Sequence, residues 1–246
     1  MGELLELVSD LSLKEETLVL FTSEQGSQFP GCKWTNWNDG VHTAMVARWP
    51  GQISEGTRTD ALIQYADVAP TLLSVAGGQP SLSIDGRDFS GVLRGEVDQH
   101  RDFSYSMHNN LPEGPAYPIR SITDGEWRYI RNLRPDELYI ERHLMGGGRL
   151  NNPYWATWLG ADPQQQTVYE KIKRYMLRPA EQLYHTRKDP HELINLAGVD
   201  EHADVKLRLS RALDAWLESE GDPGAALDTV PALEAARKGK PIYGPR

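Results

Sequence analysis

Residues 17–26 read Thr17-Leu18-Val19-Leu20-Phe21-Thr22-Ser23-Glu24-Gln25-Gly26 and contain the strongest strand signal in the chain. It predicts a buried strand over residues 17–23 that is apolar on both faces, which is typical of a parallel sheet covered by helices. The strand ends in a carboxylate and an amide, Glu24 and Gln25, and Gly26 permits the backbone to turn there. Ligands gather at the carboxyl ends of strands in open α/β sheets. The sequence therefore predicts a binding site at this edge.

The chemistry of this edge suits a hard cation and an anion. Carboxylate and amide oxygens are ligands for calcium or magnesium rather than for a soft metal. Neighbouring strand residues point to opposite faces, so Glu24 and Gln25 reach one ion only if the backbone turns. Lys33, eight residues after Gln25, supplies a compact positive charge for a sulfate or phosphate oxygen. The alternative for all three residues is a solvated surface loop.

Histidines offer one further candidate. His108 ends a predicted strand and is followed by two asparagines, so it could donate to a substrate oxygen. The alternative is a strand-end histidine without a ligand. We interpret His42, placed within a predicted strand, and His185 and His191, which flank a turn, as structural.

No nucleophile is evident in the sequence. Cys32 is the only cysteine and lies beside Lys33, and a neighbouring lysine can lower the pKa of a thiol. No other feature of a cysteine hydrolase accompanies it. The chain has no Gly-x-Ser-x-Gly elbow, no glycine-rich phosphate loop and no zinc-type spacing of Cys or His.

Composition limits the classes of partner. The 246 residues carry a net charge of -9, which argues against nucleic acid as the main partner. No apolar run approaches the length of a membrane span, and residues 1–16 do not have the pattern of a signal peptide. The compartment is unknown from these features, and we expect a cytoplasmic or periplasmic location for the full-length protein.

The order of predicted elements indicates α/β organisation, and the pattern of strands and helices changes near residue 100. Residues 1–100 alternate strands and helices and predict part of an α/β core with a mixed sheet and flanking helices. Residues 101–220 predict a small α+β subdomain with an antiparallel sheet. Residues 221–246 are rich in Ala, Gly and Pro and predict a loosely packed tail.

Periodicity, capping residues and turn signals give the individual elements. Asp67 is predicted to cap a helix that stops at Gly77, and Asp124-Gly125 predicts a hairpin. The predicted strands, after the first, are 41–49, 103–108, 119–123, 127–133 and 181–185. The other predicted helices are an uncapped one around residues 4–11, then 138–145, 163–177 and 200–219, with a Gly- and Asn-rich loop at 146–153.

Several motifs, in their order and spacing, resemble the second half of a sulfatase, and most closely the heparan N-sulfatase (sulfamidase) branch and its bacterial relatives. The similarity extends over about residues 1–220. The motifs are Thr22–Gly26, Lys33, Arg48-Trp49-Pro50-Gly51, Tyr65–Leu73 with Ala76-Gly77, Asp85–Asp88, Leu93-Arg94-Gly95, Ser106–Asn109, Ile119-Arg120-Ser121, Trp127–Leu133, Glu181–Tyr184, Asp189–Glu192 and Asn195-Leu196-Ala197.

This resemblance implies an alkaline-phosphatase-like fold and the activity of a sulfuric ester hydrolase. It implies that Glu24 and Gln25 are calcium ligands, with magnesium as an alternative, that Lys33 contacts the sulfate, and that His108 touches the substrate. The implied partner is a sulfated small molecule or saccharide, with no nucleic acid and no membrane.

The sequence departs from the family pattern in two ways. Glu-Gln replaces the family's Asp-Asn or Asp-His, which we treat as variation within a subgroup. The formylglycine nucleophile, made from cysteine in Cys-x-Pro-x-Arg, is expected upstream, because Cys32 is followed by neither the proline nor the arginine.

We therefore expect the C-terminal portion of a sulfatase-like hydrolase, inactive without its upstream half. The alternatives are a phosphodiesterase or phosphonate hydrolase of the same superfamily, or a non-catalytic truncated remnant. The uncapped first helix favours truncation, and an uncovered sheet would favour pairing with the missing half or a homo-oligomer.

Overall fold

The computed structural model describes residues 1–79, 84–111, 114–145, 153–162 and 164–227. Its α-helices are α1 (Gly2–Asp10), α2 (Asn38–Val41), α3 (Val68–Val75), α4 (Ser90–Leu93), α5 (Arg142–Met145), α6 (Pro153–Leu159), α7 (Gln166–Met176) and α8 (Ala203–Ser219). Its strands are β1 (Val19–Thr22), β2 (Met45–Arg48), β3 (Ser104–His108), β4 (Ile119–Thr123), β5 (Trp127–Asn132) and β6 (Glu181–His185). Short 3-10 turns cover Tyr65–Asp67, Asp200–His202 and Gly224–Leu227.

The chain forms two compact units. The first comprises Met1–Glu24 and Thr43–Ser104, and the second comprises Gln25–His42 and Tyr105–Arg246. The division into domains 1–100, 101–220 and 221–246 stays a prediction, and much of the predicted tail and of the 146–153 loop lies outside the described residues.

The first unit contains a two-stranded antiparallel sheet. β1 pairs with β2 in a register that places Val19 opposite Arg48 and Thr22 opposite Met45. The prediction of a fully buried strand in a parallel sheet is wrong for the described residues, since Phe21 is 49% and Val46 60% exposed. The apolar sequence of β1 would suit a strand that other elements cover on both faces. Within this unit, however, part of the strand remains exposed to solvent.

Asp67 is the N-cap residue of α3, as predicted, but its carboxylate makes no capping hydrogen bond to α3 and is used elsewhere in the first unit. It accepts hydrogen bonds from the backbone N–H groups of Gln64 and Arg87, at 2.9 and 2.8 Å, and from the guanidinium of Arg101. Burial would raise the pKa of this carboxyl, but these hydrogen bonds and the charge of Arg101 hold the pKa below its ordinary value. Asp67 therefore joins the start of α3 to the segment that follows it.

The second unit is built on a four-stranded sheet in the order β3-β4-β5-β6. β4, β5 and β6 are antiparallel neighbours, and the predicted hairpin between β4 and β5 is confirmed, with Gly125 in the left-handed region at φ +88°. Helix α8 packs against β4 and β5 through the fully buried Leu209 and Leu213. The ring of Trp216 in α8 stacks on Tyr105 of β3, with centroids 4.4 Å apart.

The core of the second unit is rich in aromatic side chains. It consists of Trp37, Tyr117, Ile119, Ile130, Tyr139, Leu144, Trp155, Tyr175 and Tyr184. These residues come from the 25–42 segment, from three strands and from helices α5 to α7 and their connections. The 25–42 segment is thus held by the same core as the sheet.

The largest differences from the predicted boundaries are at the starts of β2 and α5, which each begin four residues later than expected. The strand predicted over 41–49 is only Met45–Arg48, and His42 directly follows the short helix α2, where its N–H donates to Asn38 O at 2.8 Å. The helix predicted over 138–145 begins only at Arg142. Val41 is instead the last residue of α2, and the N–H of Tyr139 donates to Met176 O at 2.9 Å, so each element begins later than the apolar pattern indicates.

Candidate functional site

The loop that carries Lys33 is folded on itself. The carbonyl oxygen of Ser27 accepts hydrogen bonds from the N–H groups of both Phe29 and Lys33, at 2.7 and 3.1 Å. A Cβ at Gly26 would lie 2.1 Å from Asp39 O, and one at Gly40 would lie 2.4 Å from Cys32 O. Gly26 is therefore required for the close approach of two backbone segments.

Two asparagines and a buried acid anchor the end of this loop. Asn36 donates to Ser106 O in β3 at 2.9 Å and to Ser121 Oγ in β4 at 3.1 Å. The N–H of Asn38 donates to Glu192 at 2.7 Å. These contacts fix the segment that follows Lys33 to the sheet of the second unit.

Glu192 is the residue of this anchor that sequence reasoning missed. It is fully buried and pairs with Arg128 of β5, whose Nε lies 2.8 Å from Glu192 Oε1. Burial raises the pKa of this carboxyl, although the charge of Arg128 opposes the shift. The only sequence signal was its place in the Asp189–Glu192 motif, which says nothing of a partner far away in the chain.

Trp34 connects Lys33 to the aromatic core. The ammonium of Lys33 lies 5.6 Å from the centroid of the Trp34 ring, which stacks on the imidazole of His143 at 5.1 Å. Trp34 has φ +66°, a backbone conformation that is uncommon for a bulky residue. Its carbonyl oxygen accepts a hydrogen bond from the hydroxyl of Tyr139 at 2.5 Å, which helps to hold that conformation.

His108 lies near the same hydroxyl group of Tyr139. Its Nε2 is 3.4 Å from the Tyr139 hydroxyl oxygen. Burial, and then the positive charge of Arg178, lower the pKa of His108 to about 4, against a smaller opposite effect of Asn110. His108 is therefore neutral at pH 7, and it can exchange hydrogen bonds with a ligand but adds no charge.

Arg178 is a buried cation surrounded by aromatic rings. Its guanidinium carbon lies 3.6 Å from the centroid of Tyr139 and 4.7 Å from that of Trp37. Arg174 covers Trp37 at 3.8 Å. Such cation–π contacts are strongest where water is excluded, and here they stabilise the ring that contacts both Trp34 and His108.

The predicted site residues fall in different parts of the structure. Glu24 and Gln25 directly follow β1 and are exposed, with Glu24 assigned to the first unit and Gln25 to the second. Lys33 and His108 both belong to the second unit, where Trp34 and Tyr139 connect them. No motif or spacing in the sequence indicates this connection.

The donors of Glu24 and Gln25 fit a hard cation in kind but not in number. One carboxylate and one amide oxygen suit calcium. In the described parts of the chain no group of three or more His, Cys, Asp or Glu side chains is arranged to hold a metal ion. A complete site would need further oxygen ligands.

Cys32, His185 and His191 all belong to the second unit, and each lies near a carboxylate. The pKa of the Cys32 thiol is raised by burial and then by the charge of Asp39, the opposite of what an activated nucleophile requires. His185 lies 3.4 Å from Glu126, and His191 lies 3.0 Å from Asp39.

Within the described ranges, no helix combines the length and apolar character needed to cross a membrane.

Comparisons of sequence place this architecture among known proteins. Residues 32–141 match the family described as "N-sulphoglucosamine sulphohydrolase, C-terminal". An ulvan-active sulfatase of Formosa agariphila is 30% identical over 222 residues, which are 89% of this chain and 41% of the relative. Human N-sulphoglucosamine sulphohydrolase is 26% identical over 240 residues, which are 90% of this chain and 45% of the relative. The chain thus spans less than half the length of these relatives.

Comparison of structures gives the same fold. A protein solved in complex with its substrate D-glucosamine-2-N,6-O-disulfate has a TM-score of 0.63 at 19% identity, covering 90% of this chain and 38% of that one. The prediction of part of an alkaline-phosphatase-like α/β fold, followed by an antiparallel α+β portion, is confirmed.

Proposed function

We propose that this chain, which belongs to the sulfatase family, is the C-terminal portion of a hydrolase that cleaves sulfate esters or N-sulfate groups. The observation that carries the proposal is the extent of the sequence match, which covers nine tenths of the chain against sulfatases of two kinds. The substrate is then a sulfated small molecule or saccharide, the class to which the ligand of the structural neighbour belongs.

Lys33 is the proposed sulfate contact. The backbone N–H of Lys33 is bonded to Ser27, and the carbonyl of its neighbour Trp34 is bonded to Tyr139, so the Lys33 side chain is carried by a rigid turn. A preorganised cation stabilises charge on sulfuryl oxygens without reorganising during the reaction. His108, neutral at pH 7, is the proposed hydrogen-bonding partner of the substrate.

Glu24 and Gln25 are the proposed calcium ligands on this chain, with magnesium as the alternative ion. A bound calcium would neutralise negative charge on the sulfuryl oxygens. One carboxylate and one amide would hold calcium weakly, because affinity follows the number of charged ligands. The other ligands, and a formylglycine nucleophile, are proposed to lie in the part of the sulfatase relatives that this chain does not span.

It follows that the chain is inactive by itself. The raised pKa of the Cys32 thiol supports this, because the only cysteine is not set up to attack a sulfate ester. The exposed apolar side chains of Phe21 and Val46, which are cross-strand partners in β1 and β2, support cover of this face by a further part of a longer protein.

The alternatives are a phosphodiesterase or phosphonate hydrolase, or a non-catalytic remnant. The sequence matches to sulfatases favour hydrolysis of a sulfate group over these alternatives.

Binding of inorganic sulfate tests the anion site in this chain. Titration followed by amide NMR should show shifts in residues 27–34, with an affinity that falls about threefold to tenfold in Lys33→Ala, the loss expected for one exposed charge-assisted contact. Lys188→Ala is a control that removes a lysine elsewhere in the second unit. Equal affinities in the Lys33→Ala and parent chains would contradict the proposal, as would hydrolysis of 4-nitrophenyl sulfate by the chain alone at an enzyme-like rate.

A further inference from the structure

Two aromatic rings of the second unit meet at the surface of the protein. Phe29, in the Lys33 loop, and Tyr154, in α6, have ring centroids 4.6 Å apart and planes inclined by 55°. Phe29 is 42% and Tyr154 48% exposed, in contrast with Trp155, the next residue of α6, which is 4% exposed and belongs to the core. Trp155 thus holds α6 in the core, whereas the rings of Phe29 and Tyr154 are partly exposed to solvent.

The pair arises from the same turn as Lys33. Phe29 and Lys33 donate their backbone N–H groups to one acceptor, the carbonyl oxygen of Ser27, so their backbone nitrogens are close neighbours. The carbonyl of Phe29 in turn accepts from the N–H of Cys32 at 3.0 Å. One compact backbone turn thus carries both Phe29 and Lys33.

The turn that carries Phe29 and Lys33 is rigid, which favours ligand binding. Gly26 and Gly40 allow the backbone segments around it to pack without room for a Cβ, and Tyr154 is fixed because α6 is held by Trp155 in the core. A rigid pair of exposed rings has less conformational entropy to lose on binding than flexible side chains. Exposed aromatic surface that is held in place, rather than collapsed into a core, is typical of a binding site.

We propose that Phe29 and Tyr154 form a stacking platform for the ring of a sulfated saccharide whose sulfate group contacts Lys33. This inference deepens the proposed function and rests on it. The faces of aromatic rings carry negative electrostatic potential and attract the C–H bonds on one face of a pyranose, while the ammonium recognises the sulfate oxygens. The platform therefore selects for a ring attached to the sulfate, which inorganic sulfate lacks.

The test compares three probes on the same chain: glucosamine-2-N-sulfate, N-acetylglucosamine and inorganic sulfate, each titrated by amide NMR. We expect glucosamine-2-N-sulfate to bind about threefold to tenfold more tightly than inorganic sulfate, the range for one aromatic contact. Phe29→Ala and Tyr154→Ala should each remove most of this advantage and leave the affinity for inorganic sulfate unchanged. Lys33→Ala should weaken both sulfated probes.

Matched variants separate a platform from a structural role. Tyr169→Ala removes a tyrosine of α7 that is 58% exposed and should leave all three affinities unchanged. Phe29→Tyr and Tyr154→Phe keep the rings and should keep the advantage of the saccharide, even if an alanine variant disturbs the fold. Equal loss for inorganic sulfate and saccharide in Phe29→Ala and Tyr154→Ala, or no loss for either, would overturn the inference.

The outcomes also distinguish the platform from the proposed function beneath it. If Lys33→Ala leaves sulfate binding intact but Phe29→Ala and Tyr154→Ala weaken N-acetylglucosamine, the platform binds sugar rings and the proposed sulfate contact is wrong. If Lys33→Ala weakens inorganic sulfate but the aromatic variants change nothing, the sulfate contact stands and the platform is overturned.

Discussion

The hydroxyl of Tyr139 donates to the carbonyl oxygen of Trp34 at 2.5 Å, which joins the residue beside Lys33 to the aromatic core of the second unit. The hydroxyl oxygen of Tyr139 also lies 3.4 Å from Nε2 of His108. Tyr139 therefore fixes the backbone next to the proposed sulfate contact and lies against the proposed substrate contact. Its own ring is covered by Arg178 at 3.6 Å.

Removal of this hydroxyl should destabilise the chain. Tyr139→Phe leaves the Trp34 carbonyl without its partner while keeping the ring, so the free energy of unfolding should fall by about 1–2 kcal/mol. Urea denaturation measures it. Tyr169→Phe removes a hydroxyl from an exposed tyrosine and should change stability by less than about 0.5 kcal/mol. Indistinguishable midpoints for the two variants would contradict the assigned hydrogen bond.

The buried ion pair of Arg128 and Glu192 should be the most sensitive polar contact to truncate. Glu192→Ala leaves the guanidinium of Arg128 buried without its carboxylate, so we expect a loss of about 3–5 kcal/mol or failure to fold. Lys206→Ala breaks a pair with Glu181 that is partly exposed on both sides and should cost less than about 1 kcal/mol.

The double replacement Arg128→Met with Glu192→Leu distinguishes the cost of an unpaired buried charge from a loss of packing. It removes both charges and retains apolar volume, so it should recover much of the stability lost in Glu192→Ala. Thermal unfolding followed by circular dichroism compares the three variants. A double variant no more stable than Glu192→Ala would show that the cost lies in packing or in the hydrogen bond to Asn38 rather than in the unpaired charge.

The depressed pKa of His108 predicts a specific dependence of stability on pH. The folded pKa is about 4 and the ordinary value is 6.5, so the unfolded state binds the proton more readily between these values. The contribution of His108 is fully present above pH 6.5 and is lost as the pH falls through 6.5 toward 4. Imidazole ¹⁵N shifts should place its titration near pH 4, and His108→Gln should flatten the pH dependence of unfolding in this window. Titration near pH 6.5 would contradict the buried environment.

The uncovered strands of the first unit should cause self-association. Phe21 and Val46 are exposed apolar residues of β1 and β2, so sedimentation velocity on the chain should show oligomers at micromolar concentration. Val46→Lys should reduce the oligomer fraction and the binding of a hydrophobic dye. Leu207→Lys, at an exposed position of α8, should change neither. A monomeric parent chain would argue that this face needs no partner.

Local signals predicted the second unit better than the first. The strands β4 and β5 and their hairpin follow from short-range alternation and from Asp124-Gly125, whose glycine adopts the left-handed conformation the turn requires. The apolar run of β1 correctly predicts a strand. Its burial and partner direction depend on the layers around it, which the run itself does not specify.

In the candidate site, too, some features could be predicted from the sequence and others could not. Lys33 and His108 could be named from the sequence, because a family motif and a strand end mark them. The connection through Trp34 and Tyr139 could not, since it depends on a backbone carbonyl and on a tyrosine that belongs to no motif. Glu192 was visible as part of a motif, but its pairing with Arg128 depends on the tertiary fold.

Sequencing of the DNA that precedes the codon for Met1 tests whether this chain is the C-terminal portion of a sulfatase. We expect the source DNA to continue in frame upstream and to encode Cys-x-Pro-x-Arg or Cys-x-Ala-x-Arg, preceded by paired aspartates that complete the calcium site. Glu24, Gln25 and Lys33 would then belong to the active site of a sulfatase. A stop codon or an unrelated sequence there would contradict it, and the same three residues would be remnants of a site that this chain does not complete.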